Sequence, residues 1–226
     1  MWVRDRVSEA RAQGRWVEVR GGRATDVIAE PGGTKQRLQV LIGGVGYRWQ
    51  RDASFGLIAS DELSQLDWPP GVEVADLGYG AIYVAQDMAD AQPPFDRVIL
   101  LTGIARGRKL GQIYRTRWED GALNPDDLVA RIREAGAGVV DPDHLLVIAQ
   151  HFGALPDDVV VIELEPVDVT GGEDLSPEAA GCLQEAIELA RREAFAPRRR
   201  EYAPSEYGVT TVRPAPFSDR PRETRA

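Results

Sequence analysis

Five short segments rich in apolar and β-branched residues follow one another along the middle of the chain. They are residues 38–42, 72–75, 97–101, 112–117 and 158–166. Most are largely apolar, which is typical of strands covered on both faces, whereas residues 112–117 alternate apolar and polar positions. We therefore expect five strands, with an edge strand at 112–117 and a first strand that Gly43-Gly44 terminates.

Helical spacing of apolar residues separates these segments. Two helices are predicted at 55–66 and 79–91, and three more begin after Asn124, Asp141 and Ser176. Each of these three capping residues precedes a proline, which is well suited to the first helical position. The pattern predicts an α/β fold, a three-layer α/β/α sandwich with a mostly parallel five-stranded sheet and one antiparallel edge strand.

Composition divides the chain into three parts. Residues 38–195 carry the predicted strands and helices and form the α/β domain. Residues 1–37 form an N-terminal extension, whose Trp2 and Trp16 dock either on the domain or on a partner. Residues 196–226 contain five prolines and seven arginines without a core pattern, which predicts a tail that is disordered or ordered by a partner. Its candidate partner-binding residues are Arg198, Arg199 and Arg200.

The formal net charge of −9 is unevenly distributed. Residues 39–195 hold 12 basic and 27 acidic side chains, whereas the segments on either side of them are both basic. Nucleic acids are bound through clustered Lys and Arg, so a nucleic-acid partner is excluded. The basic ends either fold back on the acidic domain or meet an acidic partner.

Hydropathy and cysteine content exclude further classes. No apolar run approaches the roughly 20 residues that a membrane-spanning helix needs, and the first residues lack the apolar stretch of a secretory signal. We therefore expect a cytoplasmic protein without a membrane partner. Cys182 is the single cysteine, which excludes an internal disulfide and a zinc site built from cysteines.

Ligands of parallel sheets bind beyond the carboxyl ends of the strands. In this chain the candidate loops follow Ile42, Ala75 and Leu101, and the segment before Asp141 is a fourth candidate. The first of these loops contains a Gly-x-Gly pattern at Gly44 and Gly46, which by itself could indicate a dinucleotide site. A dinucleotide loop needs a third glycine at the position of the bulky Trp49, so this class is excluded.

Residues 41–56, which read LIGGVGYRWQRDASFG, resemble the opening of the hydrogenase maturation endopeptidases. In that family a strand is followed by G-x-G-N, an acidic pair and a further glycine. The residues that match are Gly44, Gly46, Asp52 and Gly56. Residues 72–80, 96–101 and 175–177 resemble, in order, the family's second strand and loop, its third strand and the start of its last helix. The resemblance extends from Leu38 to Ala194 and implies the family's α/β fold.

The resemblance also implies a partner and a metal. The family processes the large subunit of nickel–iron hydrogenases, so a protein partner of this kind, or a related metalloenzyme, is expected. Its members hold a metal with the second acid of the pair, an Asp that ends the third strand and a His before the penultimate helix. The corresponding residues are Ala53, Thr102 and Gly138, and Tyr47 replaces the asparagine. Nickel and zinc need imidazole or carboxylate ligands, so we expect the chain to bind no cofactor of its own. If the chain is an enzyme, we expect it to contact the nickel of its partner.

Nearby side chains could replace the lost ligands. Asp52 neighbours the lost acid, Asp76 follows the second strand, and His144 lies six residues beyond the expected histidine. One interpretation is a rebuilt metal site that contains these three residues. The favoured interpretation is that both aspartates cap loops while the histidine packs in the domain or faces solvent.

The mouth of the crevice has the composition of a contact surface. Tyr47, Arg48 and Trp49 replace small or polar family residues there, where they either fill the crevice or form an interface. The basic run 106–109 is interpreted as a solvated loop, with binding of a carboxylate or phosphate as the alternative. The acids of residues 163–165 are interpreted as the polar face of a strand. The candidate crevice residues are Gly44, Gly46, Tyr47, Arg48, Trp49, Asp52, Asp76 and Thr102.

Two functions remain. A non-catalytic relative of the family, a pseudoenzyme, would bind a nickel–iron hydrogenase subunit or a related metalloenzyme as a maturation, chaperone or scaffold factor. An active maturation endopeptidase would need catalytic or metal-binding groups that have moved within the same crevice. The loss of the metal ligands and the presence of two added ends favour the non-catalytic protein.

Overall fold

The computed structural model describes residues 38–119 and 125–197 in full, together with the backbone of residues 18–20, 23–25 and 210–212. Contacts divide the chain into two compact units, Met1–Arg37 and Leu38–Ala226. In the first unit, strands β1 (Glu18–Arg20) and β2 (Arg23–Thr25) pair in antiparallel orientation.

The second unit contains a six-stranded sheet in the order β4-β3-β5-β7-β6-β8. Its strands are β3 (Val40–Val45), β4 (Val72–Asp76), β5 (Arg97–Gly103), β6 (Ile113–Trp118), β7 (Asp158–Leu164) and β8 (Thr210–Val212). Strands β4, β3, β5 and β7 are parallel to one another, and β6 is antiparallel to β7. The predicted α/β fold with a mostly parallel sheet is thus confirmed.

One strand comes from a segment where none was predicted. Residues 210–212 pair in parallel with β6, so they lie outside the strand that was predicted as the edge. The segment reads Thr-Thr-Val, and β-branched side chains favour the extended backbone of a strand. The tail therefore differs from the sequence-based prediction at these three residues.

Helices cover both faces of the sheet. They are α1 (Phe55–Ser64), α2 (Ala81–Asp90), α3 (Pro125–Gly136), α4 (Pro142–His151) and α5 (Pro177–Phe195). Helices α1 and α5 pack on one face, and α2, α3 and α4 pack on the other. Alternate residues of β5 supply both cores, since Val98 and Leu100 face one layer while Ile99 and Leu101 face the other. The predicted caps Asp141 and Ser176 are confirmed, because each side chain accepts backbone N–H groups of the first helical turn.

The first strand of this sheet is longer than predicted. It continues through Gly43 and Gly44 to Val45, so the prediction that the glycines terminate it is wrong. A Cβ atom at Gly44 would lie 2.3 Å from the carbonyl oxygen of Gly56, and one at Gly56 would lie 2.0 Å from that of Leu101. The glycines therefore allow the first turn of α1 to lie directly against β3 and β5.

Within the part of the chain that the structure describes, no helix is both long and apolar enough to cross a membrane.

Candidate functional site

The loops at the carboxyl ends of β3 and β4 enclose an open depression of about 450 Å³. It is lined by Gly46, Tyr47, Arg48, Leu57, Asp76, Gly78 and Tyr79. Four of the candidate crevice residues are therefore brought together here. The other four, Gly44, Trp49, Asp52 and Thr102, do not line the depression.

The three positions that correspond to metal ligands in the family carry no donor suited to nickel or zinc. Ala53 lies in a 3-10 helix, Arg51–Ser54, with its methyl group buried. Thr102 is buried in β5, next to Glu163 of β7. Gly138 faces open space, since a Cβ atom there would meet no atom within 4 Å. A methyl group, a neutral hydroxyl and a missing side chain do not fit the family's metal.

Tyr47 connects the two sides of the crevice. Its hydroxyl oxygen accepts a hydrogen bond of 2.8 Å from the backbone N–H of Val140. Val140 lies between Gly138 and the cap of α4, so the tyrosine that replaces the motif asparagine reaches the segment where the family's histidine is expected. The bond joins the loop after β3 to the segment before α4, and both roles considered for Tyr47 stay predictions.

Arg48 forms a fork-like ion pair at the mouth of the depression. Its guanidinium donates to both oxygens of Asp61, at 2.7 and 2.9 Å, and to Asp76 Oδ2 at 2.9 Å. These hydrogen bonds raise the pKa of Arg48 and lower that of Asp61. The second oxygen of Asp76 accepts the backbone N–H of Gly78 at 2.7 Å, so this carboxylate both neutralises Arg48 and caps its own loop.

Asp52 is fully buried and holds a distant loop in place. Its carboxylate accepts backbone N–H groups of Val167, Asp168 and Ser176, at 2.8, 3.0 and 2.7 Å. It also accepts the Ser176 hydroxyl at 2.8 Å, and the same hydroxyl oxygen caps α5. The surviving acid of the motif therefore has a structural role, as the favoured interpretation predicted.

Trp49 stands on a strained and firmly held backbone. Its φ angle is 67°, a left-handed conformation that a bulky residue rarely adopts, yet its side chain is 64% exposed. The backbone of Gly172 donates to the Trp49 carbonyl at 2.8 Å and accepts from Arg51 at 3.0 Å. Two strand-like hydrogen bonds thus fix a loop that presents a large aromatic side chain to solvent.

The structure does not assemble the alternative metal site of Asp52, Asp76 and His144. His144 is buried in the first turn of α4, with Nε2 2.9 Å from Glu134 and Nδ1 3.1 Å from Asp141. Asp52 and Asp76 are engaged as described above, each by different partners. Among residues 38–119 and 125–197, no group of three or more His, Cys, Asp or Glu side chains could hold a metal ion.

A buried arginine–carboxylate network next to Thr102 was missed by the sequence analysis. Arg106 donates to both oxygens of Asp143, at 2.7 and 2.8 Å, and to Glu163 at 2.7 Å. Burial acts to lower the pKa of the Arg106 guanidinium, but Asp143 and Glu163 raise it above its ordinary value. Glu163 is only 1% exposed, so the interpretation of its acid as the polar face of a strand is wrong.

The second arginine of this loop completes the network. Arg108 donates to Glu163 at 2.8 Å and to Glu165 at 3.0 Å, and its guanidinium carbon lies 4.1 Å from the centre of the Tyr114 ring. The backbone N–H groups of Arg106 and Gly107 donate to the other oxygen of Glu165. The interpretation of residues 106–109 as a solvated loop is therefore wrong, since it binds carboxylates of its own chain. The matching Arg-x-Arg and Glu-x-Glu patterns could have indicated this pairing.

The proposed partner-binding residues Trp2, Trp16, Arg198, Arg199 and Arg200 lie outside the described residues and stay predictions.

Comparison with known proteins supports the fold. No family model and no curated protein matches the sequence. The hydrogenase maturating endopeptidase HybD from E. coli is 21% identical over 70% of this chain and 94% of its own, with a TM-score of 0.52. An endopeptidase from Escherichia coli, solved in solution, is 20% identical over 73% of this chain and 100% of its own, with a TM-score of 0.52. The hydrogenase 2 maturation peptidase from Thaumarchaeota archaeon SCGC_AB-539-E09 is 28% identical over 69% and 97%, with a TM-score of 0.49.

The two E. coli structures carry the conclusion about architecture. The chain covers nearly all of each of them and shares their fold, which confirms the resemblance to hydrogenase maturation endopeptidases at the level of the fold. A fold does not determine an activity, so the function has to be argued from the residues of the crevice.

Proposed function

We propose that the chain is a non-catalytic relative of the hydrogenase maturation endopeptidases. In this proposal it binds a nickel–iron hydrogenase subunit, or a related metalloenzyme, in the cytoplasm as a maturation, chaperone or scaffold factor. The α/β domain supplies the binding surface, and the N-terminal extension and the Pro/Arg-rich tail add contacts to the partner.

The observation that carries this proposal is the chemistry of the three positions where the family holds its metal. A bound transition metal polarises a carbonyl and activates water, and it needs ionised or imidazole ligands to stay bound. Ala53, Thr102 and Gly138 provide neither, and the Tyr47 hydroxyl accepts a hydrogen bond from the backbone of Val140. The chain shares the fold of a hydrogenase maturating endopeptidase, and these three positions lack the groups that would bind an ion.

The alternative of an active endopeptidase requires relocated groups, and the contacts of the candidate groups count against it. Asp52 accepts four hydrogen bonds from its own fold, Asp76 is paired with Arg48, and His144 lies between two acids. Each of these three side chains therefore already interacts with other residues of the chain.

Native co-purification tests the proposal directly. The full chain is isolated under native conditions, and bound proteins are identified by mass spectrometry. We expect a hydrogenase large subunit or a related metalloenzyme whose length is unchanged after prolonged incubation with the chain. Shortening of that partner at its C-terminus would refute the non-catalytic role.

Calorimetric titration with nickel or zinc gives a second test. We expect no stoichiometric binding to the wild-type chain, and binding to the double variant Ala53→Asp/Thr102→Asp if the lost donors are the cause. An Asp52→Ala variant is unsuitable as a control because that carboxylate holds the 167–176 loop. Asp76→Asn is the better control, since wild-type binding that this change abolishes would favour the enzyme.

A further inference from the structure

Strand β4 forms one edge of the sheet. Among the strands that the structure describes, its single neighbour is β3, whereas β8 covers the opposite edge. An edge strand carries backbone N–H and C=O groups that can pair with an added extended segment. Glu73 and Asp76 point to solvent from this strand, so the edge is acidic.

Exposed aromatic side chains lie where β4 ends. Tyr79 lines the depression that follows Asp76 and is 50% exposed, and Tyr83 is 64% exposed and packs beside Gly80. Large aromatic side chains are the usual anchors of protein interfaces. We call the surface formed by Val72–Asp76, Tyr79 and Tyr83 the β4 rim.

Negative charge surrounds the Tyr79 side chain. The Tyr79 hydroxyl donates to Asp87 at 2.5 Å, and its pKa is raised by burial and then by Asp87, Asp76 and Glu73. Of these carboxylates, Arg48 contacts Asp76, and the same guanidinium is shared with Asp61. The β4 rim therefore combines aromatic faces with an excess of carboxylates.

We propose, on the basis of the proposed function, that the β4 rim docks an extended, arginine-bearing segment of the partner protein. The segment adds a strand to β4 through its backbone. An arginine side chain of the segment stacks on Tyr79 and pairs with the exposed carboxylate of Glu73. Arginine fits better than lysine because its planar guanidinium both stacks on aromatic rings and forms paired hydrogen bonds with carboxylates.

Peptide binding to the full-length chain tests this surface. The probe is a fluorescently labelled peptide of alternating valine and arginine, and its binding is measured by fluorescence anisotropy. The control is an otherwise identical peptide with glutamate in place of arginine. We expect the arginine peptide to bind and the glutamate peptide not to bind. A version with prolines between the arginines should bind at least about tenfold more weakly, because proline lacks the N–H needed for strand pairing.

Matched variants assign the binding to the β4 rim. Tyr79→Ala removes the aromatic ring on which the arginine stacks, and Glu73→Gln removes one exposed charge. We expect losses of about tenfold and about threefold in affinity, respectively. The controls are Phe152→Ala, which removes an aromatic ring that is 60% exposed at the end of α4, and Asp157→Asn, which removes an exposed charge before β7.

Three results would overturn the inference. Equal binding to all four variants would indicate general attraction to an acidic protein, and absence of binding would remove the surface altogether. Displacement of the probe by a synthetic copy of residues 213–226 would assign the β4 rim to the chain's own Pro/Arg-rich tail instead of a partner.

Co-purification with the wild-type and Tyr79→Ala chains separates this inference from the proposed function. A hydrogenase subunit recovered equally by both chains supports the proposed function and overturns the role of the β4 rim. If neither chain recovers such a subunit, the proposed function fails. The peptide titration then tests independently whether the β4 rim binds an arginine-bearing segment.

Discussion

Arginine–carboxylate networks lie at both ends of the inner strands β5 and β7, and they differ in what they hold. We call the side of the sheet where these strands begin the amino edge and the side where they end the carboxyl edge. At the amino edge, Arg97 is fully buried and donates to Asp158 on the neighbouring strand. The same guanidinium donates to the carbonyl oxygens of Glu193, Ala196 and Pro197 at the end of α5. This network joins a helix end to two rigid strands.

At the carboxyl edge, the equivalent network secures a loop. Arg106 and Arg108 bind Asp143, Glu163 and Glu165, and their side chains retain 19% and 22% exposure. Both edges use arginine to neutralise buried carboxylates, Asp158 at the amino edge and Asp143, Glu163 and Glu165 at the carboxyl edge. The amino edge is closed by its network, whereas the carboxyl edge leaves the depression and the β4 rim open. A contact function is therefore expected at the carboxyl edge.

The largest effect is expected from Arg97→Ala, which tests the purely structural edge. The change leaves Asp158 buried and several carbonyl groups of the α5 terminus without their donor. We expect a loss of about 3–5 kcal/mol in the free energy of unfolding, measured by urea denaturation. Arg191→Ala, at an exposed position of α5, serves as control and should change stability by less than about 0.5 kcal/mol. A loss of less than about 1 kcal/mol for Arg97→Ala would show that its network contributes little.

Arg106→Ala tests the carboxyl edge and should have a somewhat smaller effect. Partial exposure lets water reach the acids that the arginine leaves behind, so we expect a loss of about 2–4 kcal/mol. Lys109→Ala, in the same loop but exposed, is the matched control. A double-mutant cycle of Arg106→Ala with Glu163→Gln should show coupling between them. Additive losses would contradict a shared network.

Asp52→Asn tests whether the surviving acid of the motif is structural. An amide at this position replaces one acceptor oxygen by a donor that faces backbone N–H groups. We expect a loss of about 1–3 kcal/mol by urea denaturation, with faster proteolysis within residues 165–176. Asp61→Asn, an exposed acid, provides the comparison. Full stability of the Asp52 variant would indicate that the carboxylate is free for another role.

The smallest effect is a pH dependence at the mouth of the depression. The hydrogen bond from Arg48 lowers the pKa of Asp61, so the folded pKa lies below the value of about 3.9 in the unfolded chain. The pair therefore stabilises the fold above about pH 4, and this contribution is lost as the pH falls through the folded pKa. Both side chains are well exposed, so the effect is at most about 1 kcal/mol. Thermal unfolding of the wild type and Asp61→Asn should converge at low pH; a constant difference would contradict the pairing.

The sequence predicted the elements better than the contacts between them. The caps at Asp141 and Ser176 were read correctly because a cap depends on a residue and its neighbours within one helical turn. The end of β3 was misplaced, since Gly43-Gly44 suggests a turn unless a helix is known to lie against it. The network of Arg106 and Glu163 was missed because its partners are 57 residues apart.

The amino-acid sequence by itself predicted the α/β architecture and placed side chains without a metal donor at Ala53, Thr102 and Gly138. Both follow from properties that each residue carries with it, namely the periodicity of apolar side chains and the chemistry of their functional groups. Only the tertiary structure decided that Asp52 is buried and holds the 167–176 loop, that Tyr47 bonds to the segment before α4 and that residues 210–212 extend the sheet. These roles depend on which distant groups meet when the chain folds, because a carboxylate or hydroxyl takes its function from its partners and its burial.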